Sequence, residues 1–174
     1  ILAFKNSERF KAINNITNFG LTGNDTIGYV GTNARMNEFE AAMGICNLRH
    51  IDGEIAKRKR AADRYTDRLS DIKGIKLLKP QKGVEYNYAY YPVIFDGYRL
   101  KREEVLEKLA KHDILARRYF YPSVDSAECY EGKYPAEKTP LSHYFADRVL
   151  ALPLYADLSV EDVDRICDII LENN

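Results

Sequence analysis

Apolar positions recur at helical spacing through the middle of the chain. Leu48, Ile51, Ile55, Ala62, Tyr65, Leu69 and Ile72 are separated by three, four or seven residues. Such a stripe predicts one long amphipathic helix within residues 33–74, stopped by Gly74. Asn37 and Glu40 have capping-box spacing at its entrance, and Gly53 marks a candidate bend. Before it, Ile1 to Phe4 reads as the end of a buried strand. Ser7 is placed to cap a helix that runs to Phe19 and stops at Gly20, and residues 21–32, with three glycines, read as a loop.

After Gly74 the pattern shortens. Residues 75–78 and 88–95 predict strands, the second rich in aromatic and β-branched residues. Residues 101–111 predict a helix with Val105, Leu106 and Leu109 inward. Residues 114–121 read as a strand ended by Pro122, and 124–140 as a loop. Ser142 opens a short helix that leads into Leu150–Leu154, and Ser159 with Asp162 caps a last helix that turns Val163, Ile166, Ile169 and Ile170 inward. Helices alternating with short strands predict an α/β fold in which helices cover a small, largely antiparallel sheet.

Composition narrows the function classes. Lys plus Arg equals Asp plus Glu at 26 each, which argues against a nucleic-acid or anionic-membrane partner. No apolar run approaches a membrane span and no signal peptide is legible, so a cytoplasmic location is expected. Three cysteines and three histidines lie scattered, which predicts reduced thiols and no metal site. The run Lys57-Arg58-Lys59-Arg60 precedes Asp63 and Asp67, so it reads as a solvated helix face rather than a nucleic-acid patch.

The chemistry concentrates at two places. In Gly31-Thr32-Asn33-Ala34-Arg35-Met36-Asn37-Glu38, an amide and a guanidinium stand just before a helix N-terminus, an arrangement suited to a phosphate or carboxylate, though such residues are more often a cap and a surface ion pair. In Arg117-Arg118-Tyr119-Phe120-Tyr121, strand alternation would point Arg118 and Phe120 to one side and Arg117, Tyr119 and Tyr121 to the other. An ordinary half-buried strand explains the second pattern as well.

The run Gly31-x-Asn33-x-Arg35-Met36-x-Glu38-x-x-Ala41-Ala42-x-Gly44-x-x-x-Leu48 resembles the helix-entry signature of the DegT/DnrJ/EryC1/StrS sugar aminotransferases. Residues 58–69, the stretch from Ile114 to Pro122, and Leu152-Pro153-Leu154-Tyr155 with Leu158-Ser159 resemble later elements of that family in the same order. The resemblance implies the C-terminal portion of a fold-type I enzyme that uses pyridoxal 5'-phosphate. Residues 1–32 would then end the large cofactor-binding domain and its connecting loop, 33–74 form the inter-domain helix, and 75–174 form the small domain. It further implies a homodimer that transfers an amino group from glutamate or glutamine to a nucleotide-linked keto-sugar.

By the same resemblance, the Schiff-base lysine lies upstream of Ile1, Lys5 is a surface residue, and the 174 residues alone are inactive. Asn33, with Tyr29 beside it, would reach the cofactor phosphate of the neighbouring subunit. Arg35 would meet the substrate diphosphate or the donor carboxylate. Tyr119 and Tyr121 would border the sugar nucleotide, with Arg117 or Arg118 on its diphosphate. Ser123-Val124-Asp125 stands where many members carry a histidine, while the wording Arg-Arg-Tyr-Phe-Tyr-Pro resembles members acting on dTDP-linked 6-deoxy keto-sugars. The alternative is a non-catalytic module that binds sugar nucleotide or dimerises.

Overall fold

The computed structural model describes residues 5–23, 25–34, 36–130, 133 and 139–172, without the side chain of Cys129. The strand expected over Ile1–Phe4 and the candidate Arg35 lie outside the described residues. The chain divides into two compact units, residues 1–50 and 51–174.

In the first unit, helix α1 spans Ser7–Thr17 and helix α2 spans Glu38–Leu48. The cap of α1 is Asn6, not Ser7: Asn6 Oδ1 accepts from the backbone N–H of Glu8 and of Arg9, both at 3.0 Å. Asn37 and Glu40 form the expected reciprocal cap of α2, at 2.9 and 3.0 Å. Between the helices the chain folds back on itself. Thr32 N–H donates to Ile16 O at 2.9 Å, and Ala34 N–H to Thr17 O at 3.0 Å. Gly31 is required here, because a Cβ on it would stand 2.0 Å from the backbone nitrogen of Gly20.

The long helix is a correction: two helices stand in its place. α2 ends at Leu48 and helix α3 runs over Ile51–Leu69. At the break, Arg49 N–H donates to Cys46 O and His50 N–H to Asn47 O, so the i→i−4 ladder tightens to i→i−3. Arg49 itself keeps helical backbone angles, φ −67° and ψ −21°. Gly53 lies inside α3 and breaks nothing.

The second unit is built on a three-stranded antiparallel sheet in the order β1 (Ile75–Leu77), β2 (Tyr91–Phe95), β3 (Val149–Leu152). β2 is central: Ile75 opposes Phe95 on one side, and Val93 opposes Leu150 on the other. Gly74, at φ +85°, turns the chain from α3 into β1, and its carbonyl accepts the Asp96 N–H at 2.8 Å. Helices α4 (Arg102–Ala110) and α6 (Val160–Leu171) join α3 around the core. Ile75, Val93, Phe95, Leu150 and Leu152, alternate strand positions, pack with Tyr65, Leu69, Val105, Leu109, Val163, Ile166 and Ile170. Ser159 caps α6 as expected, accepting the Asp162 N–H at 3.0 Å. The seam between α3 and α6 carries an ion-pair set: Asp164 takes Arg64 through two bonds of 2.8 Å and Arg68 at 2.6 Å.

Two more expectations change. Residues 114–121 form no strand; only Arg117 pairs, through bonds of 3.0 and 2.8 Å to Ala151 at the outer edge of β3. A turn at Tyr119-Phe120 then ends the extension. The stretch 124–140 is not all loop, since Val124–Ser126 and Glu128–Tyr130 are single 3₁₀ turns and helix α5 (Pro140–Ala146) starts before Ser142.

Candidate functional site

The first unit presents its candidates outward. Capping of α2 falls to Asn37, so Asn33 does not cap that helix. Asn33 is held by its backbone, in a bridge to Asn18, and its exposed side chain forms no hydrogen bond with any described residue. Tyr29 is exposed in the same loop, where the carbonyl of Gly20 accepts the Tyr29 N–H at 3.3 Å. A fixed backbone thus offers an amide and a phenol to the outside.

The second unit gathers some of its candidates and separates others. Arg117 and Tyr119 line one depression of about 340 Å³ together with Tyr90, Leu115, Pro153 and Tyr155. The bridge to Ala151 anchors the Arg117 backbone there. Tyr65, buried in the core, donates its hydroxyl to Pro153 O at 3.1 Å and so fixes the opposite wall. Tyr90 Oη lies 3.1 Å from Tyr119 Oη, with the rings 4.7 Å apart. That hydrogen bond to Tyr119 holds the Tyr90 phenol above its ordinary pKa, against the opposing charge of Arg117.

Arg118 and Tyr121 do not join them. The Arg118 guanidinium lies 5.5 Å from the centre of the Tyr121 ring, and the Arg102 guanidinium 4.9 Å from it. The expected division by strand alternation, with Arg118 opposite Tyr121, is therefore corrected: without a strand there is no strict period of two. Arg102 is buried, with 4% of its surface exposed. It donates to Ala146 O at 3.0 Å and pairs with Glu103 at 2.6 Å, while its Nε has no partner among the described residues. Tyr121 thus covers a buried charge that ties α4 to the end of α5.

Beside this lies a cluster that sequence reasoning passed over. Asp125 accepts from Ser123 Oγ, from Thr139 Oγ1 at 2.8 Å, and lies 2.7 Å from His143 Nε2. Ser123 Oγ also meets Ser142 Oγ at 2.7 Å. The hydroxyl of Ser123, then that of Thr139 and the ring of His143, hold the Asp125 carboxyl far below the usual carboxylate range. The available signal was the Ser123-Val124-Asp125 run itself, a polar pair just after Pro122. The basic run 57–60 behaves as expected: Lys57 pairs with Glu54 at 3.0 Å and Lys59 with Asp63 at 2.5 Å. Among the described residues no group of His, Cys, Asp or Glu is arranged to hold a metal, and no helix is long and apolar enough to cross a membrane.

Known proteins share both sequence and architecture with this chain. A protein from Escherichia coli described as dTDP-4-amino-4,6-dideoxy-D-glucose transaminase is 36% identical over 162 residues, which cover 91% of this chain and 44% of the relative. One of the same description from Shigella dysenteriae is 32% identical, covering 96% of this chain and 46% of its own length. The chain therefore spans less than half the length of these relatives. A solved structure of a putative PLP-dependent aminotransferase from Bacillus cereus superposes with a TM-score of 0.82 at 27% identity, covering 97% of this chain and 45% of that one. The family profile runs without interruption from the first unit, with Asn33, into the second, with Arg117 and Tyr119; matched over residues 1–171, the chain belongs to the DegT/DnrJ/EryC1/StrS aminotransferase family.

Proposed function

We propose that the chain is the C-terminal portion of a pyridoxal-phosphate-dependent sugar aminotransferase acting on a nucleotide-linked keto-deoxysugar, with glutamate or glutamine as donor. The observation that carries this reading is the family match across both units, residues 1–171. The names of the E. coli and Shigella relatives favour a dTDP-linked 4,6-dideoxy sugar. The three-part division at residues 32 and 74 belongs to the same proposal, its middle helix interrupted at Arg49-His50. Surface-glycan or antibiotic-sugar synthesis is the proposed use of the product.

The chain's own residues have limited tasks in this reading. Bound pyridoxal phosphate supplies an electron sink for the exchange of amine and carbonyl. The Asn33 amide and Tyr29 hydroxyl fit its phosphate, because both project from a backbone that Gly20 and Gly31 hold close together. In a homodimer they would serve the neighbouring subunit. Arg117, in the depression with Tyr119, pairs with the substrate's diphosphate, and the ring of Tyr119 packs beside the nucleotide or sugar. Arg35 remains a candidate for the diphosphate or the donor carboxylate. Tyr121 is proposed to border the substrate with its exposed edge while its face rests on Arg102 and Arg118. The lysine that anchors the cofactor and moves the proton is assigned to chain preceding residue 1.

The test is turnover. The full-length protein, with glutamate and dTDP-linked 4-keto-6-deoxyglucose, is expected to yield an amino sugar nucleotide and 2-oxoglutarate, seen by mass spectrometry. Residues 1–174 alone are expected to give none. Turnover by that chain alone would refute the placement of the lysine, and no turnover of any keto-sugar nucleotide by the full-length protein would refute the activity.

A further inference from the structure

Tyr90 belongs to none of the motifs that carry the family resemblance, yet it is tied to the two candidates that share the depression. Its hydroxyl and that of Tyr119 are 3.1 Å apart, and the rings face each other at a tilt of 36°. Two phenols that share one hydrogen bond consume one proton between them. The other proton is left to be given to a third group. Whichever hydroxyl donates inward, the pair offers one O–H to whatever enters.

Arg117 differs from the arginines that are held in ion pairs. Arg64, Arg68, Arg102, Arg118 and Arg148 each meet a carboxylate within ion-pair distance. Arg117 forms no ion pair with any described residue, although the bridge to Ala151 fixes its backbone on both sides. Among the described residues no Asp or Glu lines the depression. Its remaining walls, including Leu115, Leu154 and Pro153, are mostly apolar. A forked cation and a pair of phenols lining one depression with mostly apolar walls form the kind of concave site that holds a small anionic molecule. The guanidinium fork matches two oxygens of a phosphate or a carboxylate.

We infer that Tyr90, Arg117 and Tyr119 act as one oxyanion-binding unit, in which Arg117 supplies the charge and the hydrogen-bonded tyrosine pair supplies a single aimed O–H. The inference rests on the aminotransferase reading above. It adds a residue, Tyr90, and makes the tyrosine pair, rather than Tyr119 alone, the specificity element. The oxyanion belongs either to the phosphate of the sugar nucleotide or to the carboxylate of the amino donor. Both offer the same chemistry to this unit. A cationic ligand is disfavoured, since it would meet the charge of Arg117.

The test is calorimetric titration of the full-length protein with two probes, dTDP and glutarate, on the parent and on Arg117→Gln, Tyr90→Phe, Tyr119→Phe and the double tyrosine variant. Arg117→Gln is expected to weaken one probe by about tenfold or more, the usual loss of a charged hydrogen bond. Tyr90→Phe is expected to weaken that same probe by roughly three- to tenfold. The double variant should lose at least as much as the larger single loss, because either phenol left alone still carries an O–H and only the double variant removes both. Loss confined to dTDP assigns the phosphate, and loss confined to glutarate assigns the carboxylate. Weakened binding in Arg117→Gln with Tyr90→Phe unchanged overturns the joint unit while the site in the depression stands. Unchanged binding in every variant, or a parent that binds neither probe, overturns both. Circular dichroism melts establish that each variant is folded.

Discussion

The two units of this chain keep their shape by different means. In residues 51–174, α3, α4 and α6 bury apolar side chains against the sheet, and Tyr65, Leu69, Val93, Leu109 and Ile170 have essentially no exposed surface. In residues 1–50, neither helix has a buried residue, while Phe39, Met43 and Leu48 stand open on α2. What order the first unit has comes from caps and backbone hydrogen bonds between residues 16–20 and 28–34. Burial of apolar area is the main favourable term in folding, and a hydrogen bond exchanged with water adds little net. The contrast therefore teaches that cooperative stability resides in the second unit, and that the first is organised locally.

The sharpest way to break that comparison is a cavity in the core. Leu69→Ala removes a fully buried side chain where α3 enters the sheet and is expected to cost about 2–5 kcal/mol in urea unfolding. Met43→Ala or Phe39→Ala on the exposed face of α2 should fall within about 0.5 kcal/mol in the same measurement on this chain. An equal loss at both places would show that the first unit has a core of its own.

Alkaline pH is expected to weaken the second unit next. Burial pushes the Cys167 thiol up to about 12 from its ordinary 9.0, and the Tyr91 phenol up to about 12 from 10.0. Above pH 9 the unfolded chain releases the thiol proton that the folded chain retains. Stability from these groups is whole below pH 9 and lost as pH rises toward 12, by up to about 1.4 kcal/mol per pH unit for each group. Urea midpoints measured across that range check it, and Cys167→Ala should flatten the slope. In the native protein the exposed Cys46 should alkylate well before the buried Cys167, as read by peptide mass mapping.

Acid should act elsewhere and more gently. The Asp125 carboxyl is held low in the fold, first by Ser123 and then by Thr139 and His143, so its contribution is present above its ordinary 3.8 and lost as pH falls below. Asp125→Asn is expected to raise hydrogen exchange at the start of α5 while the amides of β2 and β3 stay protected.

Much of the fold was legible because its signals are local. The Ser159–Asp162 and Asn37–Glu40 caps depend on residues three apart, and the inward stripe of α6 depends on one helical period. Ser7 was displaced by Asn6 because both types cap well and only the entry angle of the chain chooses between them. The α2–α3 break escaped because Arg49 preserves helical angles, so periodicity continues where the hydrogen-bond ladder does not. Residues 114–121 have the composition of a strand. Strand formation needs a partner edge along its length, and β3 meets them only at Arg117.

The candidate site divides along the same line. Asn33, Arg117 and Tyr119 became candidates because each stands in a short stretch of sequence that resembles a family motif. Tyr90 was not, because its role depends on a partner 29 residues away, and the Asp125 cluster depends on side chains 14 and 18 residues away.

That cluster constrains how the protein can vary. Ser123, Thr139 and His143 all aim at one carboxylate, and Ser142 leans on Ser123. Removing Asp125 alone takes the shared acceptor from three donors at once. Removing His143 alone leaves the carboxylate with two hydroxyls and a vacant place. Single changes within such a set each loosen the start of α5 unless they arrive together. Positions 123, 125, 139 and 143 are therefore expected to be inherited as a block, and a relative that has lost the aspartate should have lost the histidine with it.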